Sequence, residues 1–323
     1  MASLENIKTK IKEIFVQSLL KDGAKTASKK IVCILIALYA FYAFLKTKGL
    51  LPKKSVKGYH IFITGGGSGI GRQMAKRFAR LGAKITIADL NYNGAKNVEQ
   101  EIIAAGGQAF AVELDVADPQ KVKIAAAAAV EKFGDVTMLI NNAGIVTGKK
   151  ILQATEAQIQ KTIAINTTSH SYTVREFLPA MLRNNKGHIV TIASVAGLFG
   201  ACGLTDYCAS KFGAYGFNES LRMELNNINR NIKTTCICPY YINTGMFDGV
   251  KSRFSLLLPI LDENWASQRI VNAVLQEEKV AILPWFCNIV MIFKSILPVG
   301  VNDWLCNVMG ANSSMDHFKG RSA

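Results

Sequence analysis

The sequence TGGGSGIG at residues 64–71 decides how this 323-residue chain folds. It follows the apolar run His60–Thr64 and precedes the helical pattern Arg72–Leu81. Glycines let a backbone approach a phosphate closely, and the N-terminus of the following helix offers free amides and a positive dipole end. A strand, a glycine-rich loop and a helix in this order predict a dinucleotide-binding unit. The predicted cofactor-binding residues of the loop are Gly65, Ser68, Gly69, Ile70 and Gly71.

Downstream of this loop, short apolar runs rich in β-branched residues alternate with stretches of helix length. Such alternation is typical of repeated βαβ units, in which helices cover both faces of a parallel sheet. We therefore predict an α/β fold, a Rossmann-type doubly wound parallel sheet of about seven strands. The apolar runs are His60–Thr64, Ile85–Ala88, Ala109–Leu114, Val136–Ile140, His188–Ile192 and Thr234–Ile237.

An acidic residue follows the second apolar run and bears on the choice of dinucleotide. Asp89 comes directly after Ile85–Ala88, eighteen residues beyond Gly71. A carboxylate at this position accepts hydrogen bonds from the ribose hydroxyls of adenosine and repels a 2′-phosphate. The sequence therefore predicts NAD rather than NADP as the cofactor.

A tyrosine and a lysine four residues apart suggest proton-transfer chemistry. Tyr207 and Lys211 lie in the helical stretch DYCASK at 206–211, so their side chains share one helix face. A free tyrosine titrates near pH 10, and a useful base near neutrality needs a pKa about three units lower. We expect the Lys211 ammonium and an oxidised nicotinamide to supply that shift. Ser194, just after the run 188–193, is expected to bind the same substrate oxygen as Tyr207.

These motifs resemble those of the short-chain dehydrogenase/reductase family, over about residues 55–285. Within that family the resemblance is to the membrane-bound retinol and steroid dehydrogenases of family 16C. It is carried there by the stretches 141–150 (NNAGIVTGKK), 206–211 (DYCASK) and 232–247 (IKTTCICPYYINTGMF). The resemblance implies the Rossmann-type fold already predicted, and it implies a homodimer.

The resemblance also implies roles for four residues. Tyr207 would be the proton acceptor in alcohol oxidation, and Ser194 would orient the substrate oxygen. Lys211 would bind the nicotinamide ribose and lower the pKa of Tyr207. Asn166 would hold a water molecule that links Lys211 to solvent. The four form the predicted catalytic set, and Tyr207 and Ser194 are also the predicted substrate-binding residues.

The family pattern further implies how the cofactor is held. Asp115 would contact the adenine amine and Thr244 the carboxamide. Tyr240 departs from the pattern, since many members have glycine after Pro239, and its bulk is expected to reshape the wall on the nicotinamide side. The remaining implied cofactor-binding residues are Val116, Asn142, Ala143, Gly144, Tyr207, Lys211 and Ile242.

The positive charge of the chain is concentrated near its start. The net charge is +15, and residues 1–60 hold twelve lysines against three acids. This charge surrounds the uncharged run Ile31–Leu45, which favours a membrane partner over a nucleic acid. As a helix the run is about 22 Å long, shorter than the hydrocarbon core of a bilayer, which is roughly 30 Å thick. The helix is therefore expected either to span the bilayer, with its flanking lysines reaching the interface, or to lie as a shallow anchor in one leaflet. Upstream of the run, apolar residues recur at helical spacing among lysines, which predicts a basic interfacial helix, with an ordinary packed helix as the alternative; they are Ile7, Ile11, Ile14, Phe15 and Leu19.

The chain is therefore predicted to have four parts: a basic amphipathic segment (1–30), a hydrophobic anchor (31–51), a catalytic domain (52–283) and a C-terminal apolar helix with a tail (284–323). In the last part an apolar stripe recurs at helical spacing, and it either caps the core or lies in a membrane interface. The stripe consists of Phe286, Ile289, Val290, Phe293, Ile296 and Leu297.

The seven cysteines are scattered and include no CxxC pair, so we predict neither a disulfide framework nor a metal site. This use of cysteine is typical of a reducing compartment, and we expect the catalytic domain to face the cytosol. Together with the resemblance, the sequence predicts a membrane-anchored NAD-dependent dehydrogenase that oxidises a lipophilic alcohol. The leading candidate for this substrate is all-trans-retinol, which would be oxidised to all-trans-retinal. A 17β-hydroxysteroid or another lipid alcohol is the alternative substrate. A protein of the lipid-droplet or endoplasmic-reticulum surface with secondary catalysis is the alternative of another class. We expect the enzyme itself to be located at the endoplasmic reticulum membrane, at the surface of lipid droplets, or at both.

Overall fold

The computed structural model describes residues 49–228 and 230–320, and before them the helical residues 10, 33, 34, 37, 38, 41, 42 and 45. The chain divides into two compact units, Met1–Pro52 and Lys53–Ala323. The predicted basic segment and most of the predicted anchor lie outside the described residues. Within the part of the chain that is described, no helix combines the length and the apolar content needed to cross a membrane. The strands and helices given below belong to the second unit.

A sheet of seven parallel strands forms the centre of the second unit, so the predicted fold class is confirmed. The strands are β1 (His60–Thr64), β2 (Lys84–Asp89), β3 (Gln108–Glu113), β4 (Met138–Asn141), β5 (Gly187–Ile192), β6 (Ile232–Pro239) and β7 (Val280–Leu283). Their spatial order is β3, β2, β1, β4, β5, β6, β7. The last strand, of four residues, was not among the apolar runs singled out in the sequence.

Several helices begin at residues that favour a helix start. Asp118 accepts hydrogen bonds from the amides of Gln120 and Lys121, and Thr155 forms a capping box with Gln158. The helices are α1 (Gly69–Arg80), α2 (Tyr92–Ala104), α3 (Pro119–Phe133), α4 (Glu156–Ile163), α5 (Ser169–Arg183), α6 (Thr205–Asn227), α7 (Glu263–Leu275), α8 (Phe286–Ile296) and α9 (Val299–Val308).

Helices cover both faces of the sheet, and the central strands β1, β4 and β5 are buried along their whole length. Buried residues of α1, α2 and α7 form one apolar layer, and those of α3, α5 and α6 form the other. The order of the strands reverses between β1 and β4, where one crossover leads outward to β2 and the other to β5. In open parallel sheets the crevice at such a reversal, beyond the carboxyl ends of the strands, is where ligands bind.

The C-terminal helices α8 and α9 contribute little to the core. Cys287 is the one buried residue of α8, and α9 has no buried residue. Within the predicted apolar stripe, Phe293 and Ile296 are 51% and 74% exposed. The other four residues of the stripe are half-buried, so the stripe is partly packed and partly open to solvent.

Candidate active site

The glycine-rich loop between β1 and α1 has the shape that only glycine allows. Gly65 and Gly69 have φ angles of +63° and +52°, in the left-handed region. A Cβ atom on Gly71 would lie 2.1 Å from the carbonyl oxygen of Gly65. Ser68 precedes α1 without making a side-chain capping bond, so the side chain leaves the first amides of this helix open. The loop is therefore a glycine-lined helix N-terminus suited to an anionic group.

Two residues brace this loop: Thr64 at the end of β1 and Asn142 directly after the neighbouring strand β4. The side chain of Asn142 donates hydrogen bonds to the carbonyl oxygens of Thr64 and Gly65, both at 2.9 Å. In return the Thr64 hydroxyl accepts from the amides of Asn142 and Ala143, both at 3.0 Å. Asn142 thus fixes the loop in addition to lining the predicted cofactor site. The bracing role of Thr64 was not predicted from the sequence.

Asp89 lies at the end of β2, and both of its carboxylate oxygens are engaged. One accepts from the Gly67 amide and the other from the Asn91 amide, each at 2.9 Å. Each carboxylate oxygen offers two lone pairs, so capacity for a ribose hydroxyl remains. The predicted NAD-selecting carboxylate is therefore also part of the scaffold of the glycine-rich loop.

Tyr207 and Lys211 lie on the same face of α6, as their spacing predicts. Both are 4% exposed, and the Lys211 Nζ atom is 5.7 Å from the centroid of the Tyr207 ring. Nζ donates a hydrogen bond to the carbonyl oxygen of Ile192 at the end of β5, at 2.9 Å. The Ser194 hydroxyl accepts from the Ala196 amide at 3.1 Å and donates to a backbone carbonyl of β6 at 3.3 Å.

Asn166 occupies a π-helical turn, Ala164–Thr168, between α4 and α5. Such turns are frequent at functional sites. Its side chain exchanges hydrogen bonds of 2.9 Å with the backbone of Ile145. A Cβ atom on Gly144 would lie 3.3 Å from the Asn166 Oδ1 atom and 3.5 Å from the Lys211 Nζ atom. A glycine therefore keeps open the space between the two groups that the predicted water would bridge.

Lys211 by itself does not lower the pKa of Tyr207, which the sequence analysis expected it to do together with an oxidised nicotinamide. Burial raises the pKa of the Tyr207 phenol, and the opposing contribution comes from the Ser194 hydroxyl rather than from Lys211. Burial also lowers the pKa of Lys211, to about 8. The sequence indicated the pairing of the two groups but not how completely both are removed from water, and desolvation disfavours charge on each.

A single cavity of about 480 Å³ joins the glycine-rich loop to the tyrosine and the lysine. Except for Asn166, every residue predicted for catalysis or cofactor binding lines it. Thr244 approaches the loop from the other side, since its Cβ atom would be 3.5 Å from a Cβ on Gly69. The predicted lining residues are Gly65, Ser68, Gly69, Ile70, Gly71, Asp89, Asp115, Val116, Asn142, Ala143, Gly144, Ser194, Tyr207, Lys211, Ile242 and Thr244.

The cavity also has a largely aromatic side, of which the sequence analysis had singled out only Tyr240. Tyr240, Met246 and Phe247, from the segment after β6, line it next to Tyr207. The rings of Phe247 and Tyr207 meet edge to face, with centroids 5.7 Å apart. Tyr241 packs against Phe247 at 5.0 Å. The site therefore combines a polar half suited to a dinucleotide with an apolar half suited to a hydrophobic molecule.

The short chain dehydrogenase family profile matches residues 59–253, and the chain belongs to that family. It is therefore a dehydrogenase, as the sequence predicts. Its relatives include the bovine short-chain dehydrogenase/reductase family 16C member 6, 40% identical over 87% of this chain and 90% of that one. Human epidermal retinol dehydrogenase 2 is 41% identical over 83% and 87%. The predicted resemblance to family 16C is confirmed.

Two further proteins extend the comparison. Estradiol 17-beta-dehydrogenase 11 of Macaca fascicularis is 37% identical, over 78% of this chain and 84% of that protein. Among solved structures, a short-chain dehydrogenase/reductase from Burkholderia phymatum in complex with NAD superposes with a TM-score of 0.68. That similarity covers 75% of this chain and 94% of the other, at 25% identity.

Proposed function

We propose that this chain oxidises a lipophilic alcohol with NAD at a membrane surface, and that this alcohol is all-trans-retinol. The observation that carries the proposal is the single cavity in which Ser194, Tyr207 and Lys211 meet the glycine-rich loop. A 17β-hydroxysteroid or another lipid alcohol is the second candidate, because an aromatic wall accepts any flat apolar molecule. Relatives of this chain are named for both chemistries.

The residues on the cofactor side fit NAD. The uncapped N-terminus of α1 would hold the pyrophosphate, and Asp89 would accept from the adenosine ribose. Asp115, Val116, Asn142, Ala143 and Gly144 line the path between the loop and Lys211. Bound NAD supplies the hydride acceptor, and its oxidised nicotinamide carries a positive charge.

Within this frame the chain's own residues hold the alcohol and move its proton. Ser194 and Tyr207 would bind the alcohol oxygen, and Tyr207 would take its proton. Burial opposes ionisation of the Tyr207 phenol, so positive charge nearby is required. Lys211 supplies such charge only while it is protonated, below about pH 8. Turnover by this mechanism therefore declines on the alkaline side as Lys211 loses its proton.

We propose a membrane location because of the basic and apolar N-terminal sequence and the apolar substrate. Residues 31–51 would anchor the chain to the endoplasmic reticulum or to lipid droplets, with the catalytic unit in the cytosol. A dissolved lipid alcohol then reaches the tethered site by lateral diffusion. The exposed apolar residues of α8 and α9 would lie against the same surface, and a homodimer is expected from family membership.

A substrate panel with detergent-solubilised protein tests the function. Retinol, a 17β-hydroxysteroid and a small allylic alcohol are each supplied with NAD or NADP, and formation of the reduced cofactor is followed by absorbance. We expect turnover with NAD, highest for retinol. A chain that oxidises none of these alcohols, although it binds NAD, contradicts the catalytic proposal and favours the surface protein with secondary catalysis.

The membrane proposal has a separate test. A chain without residues 1–51 is compared with the full chain for binding to vesicles and for its location in cells. We expect the shortened chain to stay in the soluble fraction while its turnover of a water-soluble alcohol is retained. If the shortened chain binds membranes as strongly as the full chain, residues 1–51 are not the anchor. The exposed apolar residues of α8 and α9 would then be the next candidates.

A further inference from the structure

The last ten described residues run from the end of the helices back to the active site. The Lys251 amide donates to the carbonyl oxygen of Ser314 at 3.2 Å. The amides of Lys319 and Gly320 both donate to the carbonyl oxygen of Asp248, at 2.9 and 3.3 Å. Residues 314–320, which we call the C-terminal strap, are therefore tied by backbone bonds to the loop that follows β6.

The strap also contacts a second loop, the one that follows β4. A Cβ atom on Gly148 would lie 2.0 Å from Cε1 of Phe318, so the ring of Phe318 rests directly on this glycine. Gly148 also has a φ angle of +65°, in the left-handed region that favours glycine. Both the backbone conformation and the lack of space for a Cβ atom therefore require glycine at this position. The strap thus joins the loops that follow β4 and β6, and both loops contribute residues to the lining of the cavity.

A line of aromatic contacts leads from the strap to the catalytic tyrosine. The centroids of Phe318 and Phe247 are 6.5 Å apart, and Phe247 meets Tyr207 at 5.7 Å. Met315 and Phe318 pack in the same apolar cluster as Tyr207. Ser314, 7% exposed, lies with its hydroxyl 3.3 Å from that of Tyr241, which holds the strap at a second point.

We propose that Phe318 is a positioning residue that limits the size of the alcohol accepted at Tyr207. This role of Phe318 rests on the proposed function, because it concerns the same alcohol-binding site. Phe247 lines the cavity against Tyr207, and Phe318 holds Phe247 there from behind. A bulky alcohol must push Phe247 aside and separate it from Phe318, whereas a small alcohol reaches Tyr207 without doing so. The C-terminal strap therefore makes the preference for a bulky alcohol over a small one smaller than it would be without Phe318, whichever of the two is turned over faster.

The first test compares Phe318→Ala with the unchanged full chain on prenyl alcohol and on all-trans-retinol. Loss of one aromatic contact is expected to raise the ratio of kcat/KM for retinol over prenyl alcohol by about threefold to tenfold. The change should appear in KM for retinol, while kcat for prenyl alcohol and the Kd of NAD stay within about twofold. Phe318→Tyr, which keeps the ring, should retain the original ratio.

Phe254→Ala is the matched control, because Phe254 is a partly exposed phenylalanine outside this line of contacts. It should leave the ratio unchanged. If Phe318 only stabilises the fold, Phe318→Ala lowers both efficiencies equally, and an unchanged ratio overturns the proposal. A ratio that falls overturns it as well.

The second test does not depend on turnover. Hydrogen exchange at the amides of Lys319 and Gly320 reports directly on the bonds between the strap and Asp248. With NAD present, retinol should speed this exchange and prenyl alcohol should not, and Phe318→Ala should speed it without any alcohol. Exchange that retinol slows or leaves unchanged contradicts displacement of the strap. Failure of all turnover together with the expected exchange would reject the proposed function alone.

Discussion

The two halves of the cavity are held together in different ways. The cofactor half is fixed by short hydrogen bonds among glycines and polar side chains, as when Asn142 and Thr64 clamp the loop beside Asp89. The substrate half is fixed by contacts between aromatic rings, from Tyr207 through Phe247 to Phe318. Directional bonds leave a single geometry, whereas ring contacts can shift at modest cost. The cofactor half should therefore tolerate little change and the substrate half more.

The largest effect is expected where the two halves meet, at Tyr207. Tyr207→Phe keeps the ring and its contact with Phe247 but removes the group that takes the proton, so turnover should fall by about 10²–10⁴-fold. The Kd of NAD should stay within about twofold. The measurement is initial-rate kinetics together with cofactor titration. Tyr215→Phe, on the same helix, is the control, and activity retained by Tyr207→Phe would remove the basis of the mechanism.

The rigidity of the cofactor half can be tested at Gly71. Gly71→Ala places a Cβ atom 2.1 Å from the Gly65 carbonyl oxygen, so the loop must move. Such overpacking costs about 1–3 kcal/mol, which corresponds to a weakening of NAD binding by about 5- to 150-fold if it falls on the loop. Fluorescence titration with NADH measures it. Gly216→Ala, a helical glycine with open space around it, is the control and should leave binding unchanged.

Selectivity between cofactors should depend on Asp89. Asp89→Ser removes the carboxylate that repels a 2′-phosphate and also its bond to Gly67, so the preference for NAD over NADP should fall by about tenfold or more. Efficiency with NAD should fall as well, because the loop loses a support. Steady-state kinetics with both cofactors gives the ratio. The exposed Asp303→Asn is the control, and an unchanged ratio would mean that Asp89 serves only as scaffold.

A smaller effect concerns stability beneath the site. His170 on α5 is buried, and burial lowers its pKa to about 3. Because the unfolded chain binds a proton near pH 6.5, the folded state loses stability as pH falls below that value. Between pH 7 and 5 this loss amounts to about 2 kcal/mol for one histidine. His170→Phe should reduce the loss in urea unfolding, whereas His317→Gln, at an exposed site, should not. Equal losses in all three proteins would place the acid sensitivity elsewhere.

The comparison between the halves also explains what could be predicted. Nearly all of the cofactor half was predicted because its residues lie at the ends of successive strands, and parallel strands bring those ends together. Phe247, Phe318 and Gly148 were not predicted. They are far apart along the chain, and no spacing rule relates a residue of the C-terminal tail to a loop after β4. The raised pKa of Tyr207 was missed for a similar reason, since burial depends on everything that packs around it.

The parallel sheet, the glycine-rich loop and the pairing of Tyr207 with Lys211 can all be predicted from local sequence. Each of these follows from local periodicity or from a short spacing, which fixes the geometry of neighbouring residues. By contrast, the position of α8 and α9 outside the core and the return of the C-terminal strap to the cavity follow from the folded structure. Burial and long-range ring contacts arise from the whole packed molecule, so they become visible only when it is folded.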